Sequence, residues 1–187
     1  MEFTATDLAE VVLIKPDLYR DQRGFFQEVF HRRKYGEEGI GYDFVQDNMS
    51  RSARGTVRGL HYQLEQPQGK LVFVLQGEIY DVAVDIRRGS PTFGQWTGAR
   101  LNDDNRHQLF IPPGFAHGFM VLSETAEVYY KCTDFYRPDD EYGILWDDPG
   151  IGITWPYCGE ILLSDKDRAL PLLATADPGR LPAWSRG

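Results

Sequence analysis

The sequence predicts an all-β domain with a few short helices, on three observations. Short apolar segments are separated by turn-forming residues about every ten positions, which is typical of a β-sandwich or barrel. Glycine (19), proline (11) and aromatic residues (13%) are frequent and spread along the chain, as many short strands joined by tight turns require. In residues 78–87, Tyr80, Val82, Val84 and Ile86 alternate with polar or small residues, which is the period of a strand.

Each predicted strand is an apolar or alternating run bounded by turn chemistry. In chain order, the predicted strands are 10–15, 25–30, 57–63, 70–75, 78–87, 93–101, 108–111, 116–122 and 127–136. The first two are separated by the turn Asp21-Gln22-Arg23-Gly24. The later junctions are Gln76-Gly77, Arg88-Gly89-Ser90-Pro91, Asn102-Asp103-Asp104-Asn105, Pro112-Pro113-Gly114 and Ser123-Glu124-Thr125.

Two short helices complete the predicted elements. The polar segment 31–39 predicts one of them. Ser164 has the character of an N-cap for the second, because acidic residues follow in what would be its first turn. Residues 171–187 are rich in proline and alanine, and we expect a loosely packed tail there.

Composition and charge exclude several classes of protein. The 187 residues suit one domain, and the net charge of −8 provides no positive field for nucleic acid or an anionic membrane. The two cysteines, Cys132 and Cys158, do not have the spacing of a metal or redox motif. Because the chain starts with an acidic segment and has no long apolar run, we expect a cytoplasmic protein without a transmembrane helix.

His61 lies in the strand-like segment Arg58-Gly59-Leu60-His61-Tyr62-Gln63, and Lys70 begins the next predicted strand. A neutral imidazole is a base near pH 7, and a cation beside it would stabilise an anion, so the pair suits proton abstraction next to a carbonyl group. Strict alternation places Arg58 and His61 on opposite faces, unless Gly59 allows a bulge. The alternatives are a hydrogen-bonded structural histidine and a solvated Arg58.

Two further side chains could take part in acid–base chemistry. Tyr130 shares its face of the predicted strand with Val128 and Cys132, so its ring should point inward, whereas that of Tyr129 should point outward. Tyr130 is either a proton donor or an amphipathic core residue. Asp167 is either an acid that favours a helix N-terminus or the carboxylate that orients His61.

His117 follows the turn Pro112-Pro113-Gly114, and this segment resembles the second motif of the cupins, which are double-stranded β-helix barrels. In metal-binding cupins this histidine completes a site with a His-x-His pair and a glutamate. Here the first motif has His61-Tyr62-Gln63, without the second histidine. We therefore predict no metal site.

Taken together, the chain resembles the dTDP-4-dehydrorhamnose 3,5-epimerases, which are metal-free cupin-type enzymes. The matching segments are Arg23-Gly24-Phe25-Phe26, Gln46-Asp47-Asn48, Arg58-Gly59-Leu60-His61, Gln68-Gly69-Lys70, 112–119, Tyr130-Lys131, Tyr136, Gly143-Ile144-Leu145-Trp146 and Ser164-Asp165-Lys166-Asp167. The resemblance implies one domain over residues 1–187, a double-stranded β-helix (jelly-roll) barrel. Its core would span about 40–136, and the N-terminal strands would lie at a dimer interface.

The resemblance also implies a reaction on a dTDP-4-keto-6-deoxyhexose, with inversion at C3 and C5 and no cofactor. His61 would be the base, Asp167 its partner, Tyr130 the acid on the opposite face, and Lys70 the group that stabilises the enolate oxygen. Relatives that epimerise one carbon in antibiotic deoxysugar pathways have the same base and acid, so this alternative stays open. Further alternatives are a metal-dependent cupin enzyme, a 3,4-ketoisomerase and a non-catalytic nucleotide-sugar binding protein.

The substrate contacts implied by the resemblance are of three kinds. Arg23, Arg58 and Lys166 would bind the diphosphate, and Tyr136 would stack on thymine. Polar contacts to nucleotide or sugar would come from Glu28, Gln46, Asp47, Asn48, His117 and Glu141. Family members form homodimers in which N-terminal strands cross between subunits, which would bring Arg23 to the partner's site.

Overall fold

The computed structural model describes residues 1–185, and the last two residues of the predicted tail lie outside them. The strands are β1 (Glu2–Ala5), β2 (Val12–Lys15), β3 (Leu18–Asp21), β4 (Gly24–Gln27), β5 (Gln46–Ala53), β6 (Val57–Gln63), β7 (Lys70–Gln76), β8 (Glu78–Asp85), β9 (Trp96–Asn102), β10 (Gln108–Ile111), β11 (Phe115–Val121), β12 (Thr125–Cys132) and β13 (Glu141–Gly143). The helices are α1 (Arg32–Glu37) and α2 (Asp165–Arg168), with 3₁₀ turns at Pro138–Asp140, Leu173–Thr175 and Pro178–Arg180. None of the helices within residues 1–185 has the length and apolar character that a membrane span requires.

The strands form two antiparallel sheets and a separate hairpin. The six-stranded sheet has the order β1-β2-β10-β7-β12-β5, and the five-stranded sheet has the order β13-β6-β11-β8-β9. The hairpin consists of β3 and β4. Sequence neighbours such as β7 and β8 lie in opposite sheets, which is the jelly-roll arrangement. This confirms the predicted fold, although both sheets also include strands outside the expected 40–136 core.

The core lies between the two sheets. Val72 and Val128 from the six-stranded sheet pack with Ile79, Ala83 and Val121 from the other, and all five are almost fully buried. On β8, the predicted alternation is present, but its more polar face is the one that points into the barrel. The apolar face of β8 instead packs beneath the C-terminal part of the chain.

The outer faces of both sheets are partly covered. Residues after β13 contribute Ile144, Ile151 and Leu181 to a second apolar cluster on the five-stranded sheet. The expected loose tail is therefore packed at Leu181, which is 5% exposed. A third cluster around Tyr35 of α1 covers the six-stranded sheet.

The predicted elements agree with the structure except at strands that lack apolar alternation. The predictions for 57–63 and 108–111 coincide with β6 and β10. Both predicted helices are present, and Ser164 caps α2 by accepting a hydrogen bond from the backbone N–H of Asp167 at 3.1 Å. Strands β1, β3, β5 and β13 have no counterpart among the predicted strands.

A bulge in β6 determines which of its side chains reach the barrel interior. His117 of β11 lies opposite His61 and Phe119 lies opposite Arg58. The segment of β6 between these pairs is therefore one residue longer than the segment of β11 that it faces. The register shift lies at Gly59, where φ is +122°. Because alternation is interrupted there, Arg58 and His61 line the same cavity, which is the arrangement that a bulge at Gly59 allows.

We predict that Gly59→Ala destabilises the protein and displaces His61. An added Cβ would lie 2.6 Å from the Gly118 Cα and 2.7 Å from the His117 carbonyl oxygen. The unfavourable φ alone costs about 1–3 kcal/mol, before the steric clash is added. Urea unfolding should show a larger loss of stability than for Gly39→Ala, where φ is +85° and no atom lies within 4 Å of the added Cβ. Equal losses in the two variants would contradict this explanation.

Candidate active site

One cavity of about 590 Å³ opens between the two sheets. Its walls come from strands of both sheets and from α2, so residues far apart in sequence meet there. It contains eleven of the fourteen predicted site residues: Gln46, Asn48, Arg58, His61, Lys70, His117, Tyr130, Tyr136, Glu141, Lys166 and Asp167.

His61 and Asp167 form a base–carboxylate pair. The Nε2 atom of His61 lies 2.6 Å from Oδ1 of Asp167. Burial raises the pKa of Asp167, but hydrogen bonds from His61, Ser164 and the Gly59 backbone, with the charge of His61, outweigh it and leave this pKa below its usual value. Because an ionised carboxylate can only accept, Nε2 carries the proton and Nδ1 of a neutral His61 has the free lone pair.

Glu141 connects the base to the mouth of the cavity. One of its oxygens lies 3.7 Å from Nδ1 of His61, and the other accepts hydrogen bonds from Lys166 and from the Tyr136 hydroxyl. Burial raises the pKa of Glu141, yet its bonds with Lys166 and Tyr136 hold it below the usual value. The hydrogen bond to Glu141 raises the pKa of Tyr136 to about 12. Tyr136 is 47% exposed and lines the cavity, so its side chain is accessible to a ligand at the opening.

Lys70 places an ammonium group inside the cavity. Among residues 1–185, this ammonium makes no hydrogen bond or ion pair with a side chain, unlike that of Lys166. Burial lowers the pKa of Lys70, and electrostatic interactions with Cys132, Glu141 and Asp81 oppose this effect. A buried cation without a partner is costly, and a negatively charged ligand atom would relieve that cost.

Tyr130 supplies a phenol to the same cavity. Burial raises the pKa of Tyr130, and the nearby Arg58 lowers it to a smaller extent. The hydroxyl therefore stays protonated at neutral pH and can donate. The ring of Tyr129 lies outside the cavity, where its hydroxyl donates to Asp47 at 2.8 Å, so the predicted orientations of the two tyrosines are confirmed.

His117 lies deeper in the barrel. Its Nε2 atom is 2.7 Å from Oδ1 of Asp81 on β8, and both residues are buried. Burial lowers the pKa of His117, although Asp81 opposes this effect by its charge and hydrogen bond. We therefore expect a neutral imidazole.

Three predicted site residues lie outside the cavity of their own chain. Asp47 points to the opposite face of β5, where it binds Tyr129 and Lys131. Alternation along β5 explains this direction, because Gln46, Asn48 and Ser50 occupy the face that lines the cavity. Arg23 is exposed in the β3–β4 hairpin and binds Asp21, and Glu28 binds Lys34.

Sequence reasoning missed several residues that shape the site. Gln63 bonds the backbone of Gln66, Phe135 and Arg137, and so fixes the loop that presents Tyr136. Gln63 could have been identified from the sequence, because it is a polar residue at the end of an apolar strand, two positions after His61. The contact between His117 and Asp81 could not be foreseen, because it depends on how β8 and β11 pair.

The donor atoms near the cavity do not form a metal centre. Within residues 1–185, no three His, Cys, Asp or Glu side chains form a group that could hold a metal ion.

Comparison with known proteins gives a consistent match. Residues 5–175 match the family model described as dTDP-4-dehydrorhamnose 3,5-epimerase. The Pseudomonas aeruginosa dTDP-4-dehydrorhamnose 3,5-epimerase is 54% identical over 179 residues, which is 95% of this chain and 98% of that protein.

Solved structures agree over the same length. A Legionella pneumophila structure, described as dTDP-6-deoxy-D-glucose-3,5-epimerase in complex with dTDP-4-keto-L-rhamnose, superposes with a TM-score of 0.97 at 52% identity, covering 99% of each chain. A Streptomyces bikiniensis 3'-monoepimerase, in complex with dTDP-quinovose, superposes with a TM-score of 0.90 at 33% identity, covering 96% of this chain and 92% of that one.

Proposed function

The chain belongs to the dTDP-4-dehydrorhamnose 3,5-epimerase family, and on that premise we propose that it inverts C3 and C5 of a dTDP-4-keto-6-deoxyhexose. The observation that carries the proposal is that a base, an acid and an unpartnered cation, namely His61, Tyr130 and Lys70, line one cavity. Protons at C3 and C5 are acidic because both carbons adjoin the C4 ketone. The ketone accepts the electron pair, so the reaction needs no redox cofactor or metal.

In the proposed mechanism, His61 removes the proton from carbon and Tyr130 donates one from the opposite face. The bond to Asp167 supports the base role, because it keeps the proton on Nε2 and stabilises the imidazolium that forms. The raised pKa of Tyr130 supports the acid role, because the phenol remains protonated until it is needed. Each such acid–base group contributes roughly 10²–10⁴-fold to the rate.

Lys70 would stabilise the enolate oxygen at C4. Its ammonium is not committed to another side chain among residues 1–185, which supports a role in binding a charge that develops during the reaction. Removing an oxyanion donor of this kind costs about 3 kcal/mol of transition-state stabilisation.

The other cavity residues would hold the nucleotide and sugar. Arg58 and Lys166 supply positive charge for the diphosphate, and the exposed ring of Tyr136 suits stacking on thymine. Gln46, Asn48, His117 and Glu141 offer hydrogen bonds, and we assign these to the nucleotide and sugar as a group.

Inversion at both carbons is favoured over inversion at one. The chain is 54% and 52% identical to proteins described as 3,5-epimerases, but 33% identical to a 3'-monoepimerase. Because a monoepimerase shares the fold, the carbons that acquire label from solvent are what distinguish the two reactions.

We also propose a cytoplasmic homodimer in which each β3–β4 hairpin completes the partner's cavity. Arg23 and Glu28 lie outside the cavity of their own chain. The hairpin also exposes Tyr19, Phe25 and Phe26, with 63%, 47% and 68% of their surface accessible. Apolar rings at such exposure indicate a contact surface, and a second copy is the partner that would use Arg23.

The reaction is tested by incubating the protein with dTDP-4-keto-6-deoxyglucose in D₂O. We expect deuterium at C3 and C5 by NMR, and a loss of exchange of roughly 10²-fold or more in His61→Ala with dTDP affinity retained. His107→Ala is the matched control, because His107 lies outside the cavity. Undiminished exchange in His61→Ala would remove His61 from the mechanism, and label at a single carbon would indicate a monoepimerase.

Tyr130→Phe should separate proton removal from proton return. We expect deuterium exchange to continue while epimerised product forms roughly 10²–10⁴ times more slowly, because the general acid is missing. Tyr129→Phe is the control, since its hydroxyl lies outside the cavity. If Tyr130→Phe retained the parent rate and product stereochemistry, another group would be the acid.

The dimer is tested by mixing two impaired variants, Arg23→Ala and His61→Ala. A mixed dimer would contain one site with the intact Arg23 of one subunit and the intact His61 of the other, so activity should return after subunit exchange. Sedimentation equilibrium should give twice the 21.4 kDa chain mass. A monomeric mass, or mixed dimers without activity, would contradict the shared site.

A further inference from the structure

Asp140 is a buried carboxylate that binds the backbone of one short segment, residues 64–66. It ends the 3₁₀ turn before β13 and is 3% exposed. Its Oδ1 atom accepts hydrogen bonds from the N–H groups of Leu64 and Glu65 at 3.2 and 3.1 Å. Its Oδ2 atom accepts from those of Glu65 and Gln66 at 3.0 and 2.9 Å. Three consecutive N–H groups thus converge on one side chain, as they do in the backbone concavities that bind anions.

The segment that Asp140 holds lies between two strands of the active site. Residues 64–69 connect β6, which carries His61, to β7, which begins with Lys70. Because β6 ends before residues 64–66, the carboxylate takes the place that a neighbouring strand has elsewhere in the sheet. A segment held by few hydrogen bonds opens locally at a lower free energy than a paired strand. Removing the carboxylate should therefore release residues 64–66 while both sheets stay paired.

A second side chain joins this segment to the loop that carries Tyr136. The Nε2 atom of Gln63 donates to the carbonyl oxygens of Gln66 and Phe135 at 2.7 and 3.1 Å. The Oε1 atom of Gln63 accepts from the backbone N–H of Arg137 at 2.8 Å. Both neighbours of Tyr136 in the chain are therefore bonded, through one side chain, to the end of strand β6 and the segment that follows it.

We propose that Asp140 is a positioning residue for nucleotide binding, which orders residues 64–66 and thereby holds Tyr136 at the opening of the cavity. The inference rests on the proposed function, in which Tyr136 stacks on thymine. Asp140 lies outside the cavity, so it acts on the ligand through other residues. One of these is its neighbour in the chain, Glu141, which accepts a hydrogen bond from the Tyr136 hydroxyl at 2.8 Å.

Amide hydrogen exchange of the ligand-free protein tests the ordering without any activity measurement. Asp140→Asn keeps the size of the side chain but replaces one acceptor oxygen by an NH₂ group, which cannot accept from the backbone. We expect the amides of residues 64–66 and of Arg137 to exchange about tenfold faster or more, with the strands unaffected. Asp139→Asn is the matched control, because Asp139 is an exposed residue of the same turn that binds the Arg137 side chain. Unchanged exchange at residues 64–66, or unfolding of the whole chain, would contradict the local role of Asp140.

Titration with dTDP tests the consequence for binding. We expect the Kd for dTDP to rise about tenfold in Asp140→Asn, because only the ordered fraction of the protein binds. The KM for the dTDP-sugar should rise with it, while kcat stays within about twofold, since strand pairing holds the groups that transfer protons. Asp139→Asn should leave both constants at the parent values. A lower kcat at an unchanged KM would contradict a role in binding.

A double-variant cycle tests whether the effect passes through Tyr136. In the Tyr136→Ala background, Asp140→Asn should weaken dTDP binding by less than it does in the parent. Equal losses in the two backgrounds would overturn Tyr136 as the residue through which Asp140 acts. A parent protein that does not bind dTDP would overturn the proposed function itself. A parent that binds dTDP no more tightly than Asp140→Asn would overturn this inference alone.

Discussion

The hydrogen bond between His61 and Asp167 joins strand β6 to the short helix α2, across 106 residues of sequence. It determines which ring nitrogen of His61 is free, and it fixes α2 against the wall of the cavity. Ser164 caps α2 through the backbone of Asp167, so the helix start and the base are positioned by the same turn. On β6, the bulge at Gly59 has the same effect, because it allows His61 to point into the barrel beside Arg58.

The barrel interior is divided into an apolar part and a charged part. Residues such as Val72 and Val128 fill the apolar part, whereas Asp81, His117 and Lys70 occupy the part next to the cavity. Burying the charges of Asp81 and Lys70 lowers the stability of the protein, so the arrangement is explained by chemistry rather than by folding. A substrate that develops negative charge in the cavity would meet a cation that the fold already holds in place.

The sequence predicted elements whose pattern reflects burial and missed those whose pattern reflects the site. Strand β6 was predicted from its apolar run, and Gly59 marked the position where a bulge was possible. Strand β5 was not predicted. One of its faces lines a polar cavity and the other is exposed, so its sequence is polar and is typical of a turn. The same omission explains Asp47, whose direction follows only from the alternation of β5. In the proposed homodimer, Arg23 would serve the cavity of a second chain, and no local pattern in one sequence contains that information.

The central claim is that the sugar ring lies between the base and the acid. It is tested most directly by a crystal structure with an unreactive dTDP-hexose bound. We expect His61 against one face of the sugar, Tyr130 against the other, and the Lys70 ammonium at the C4 oxygen. A sugar bound with both side chains on the same face, or outside the cavity that they share, would contradict it.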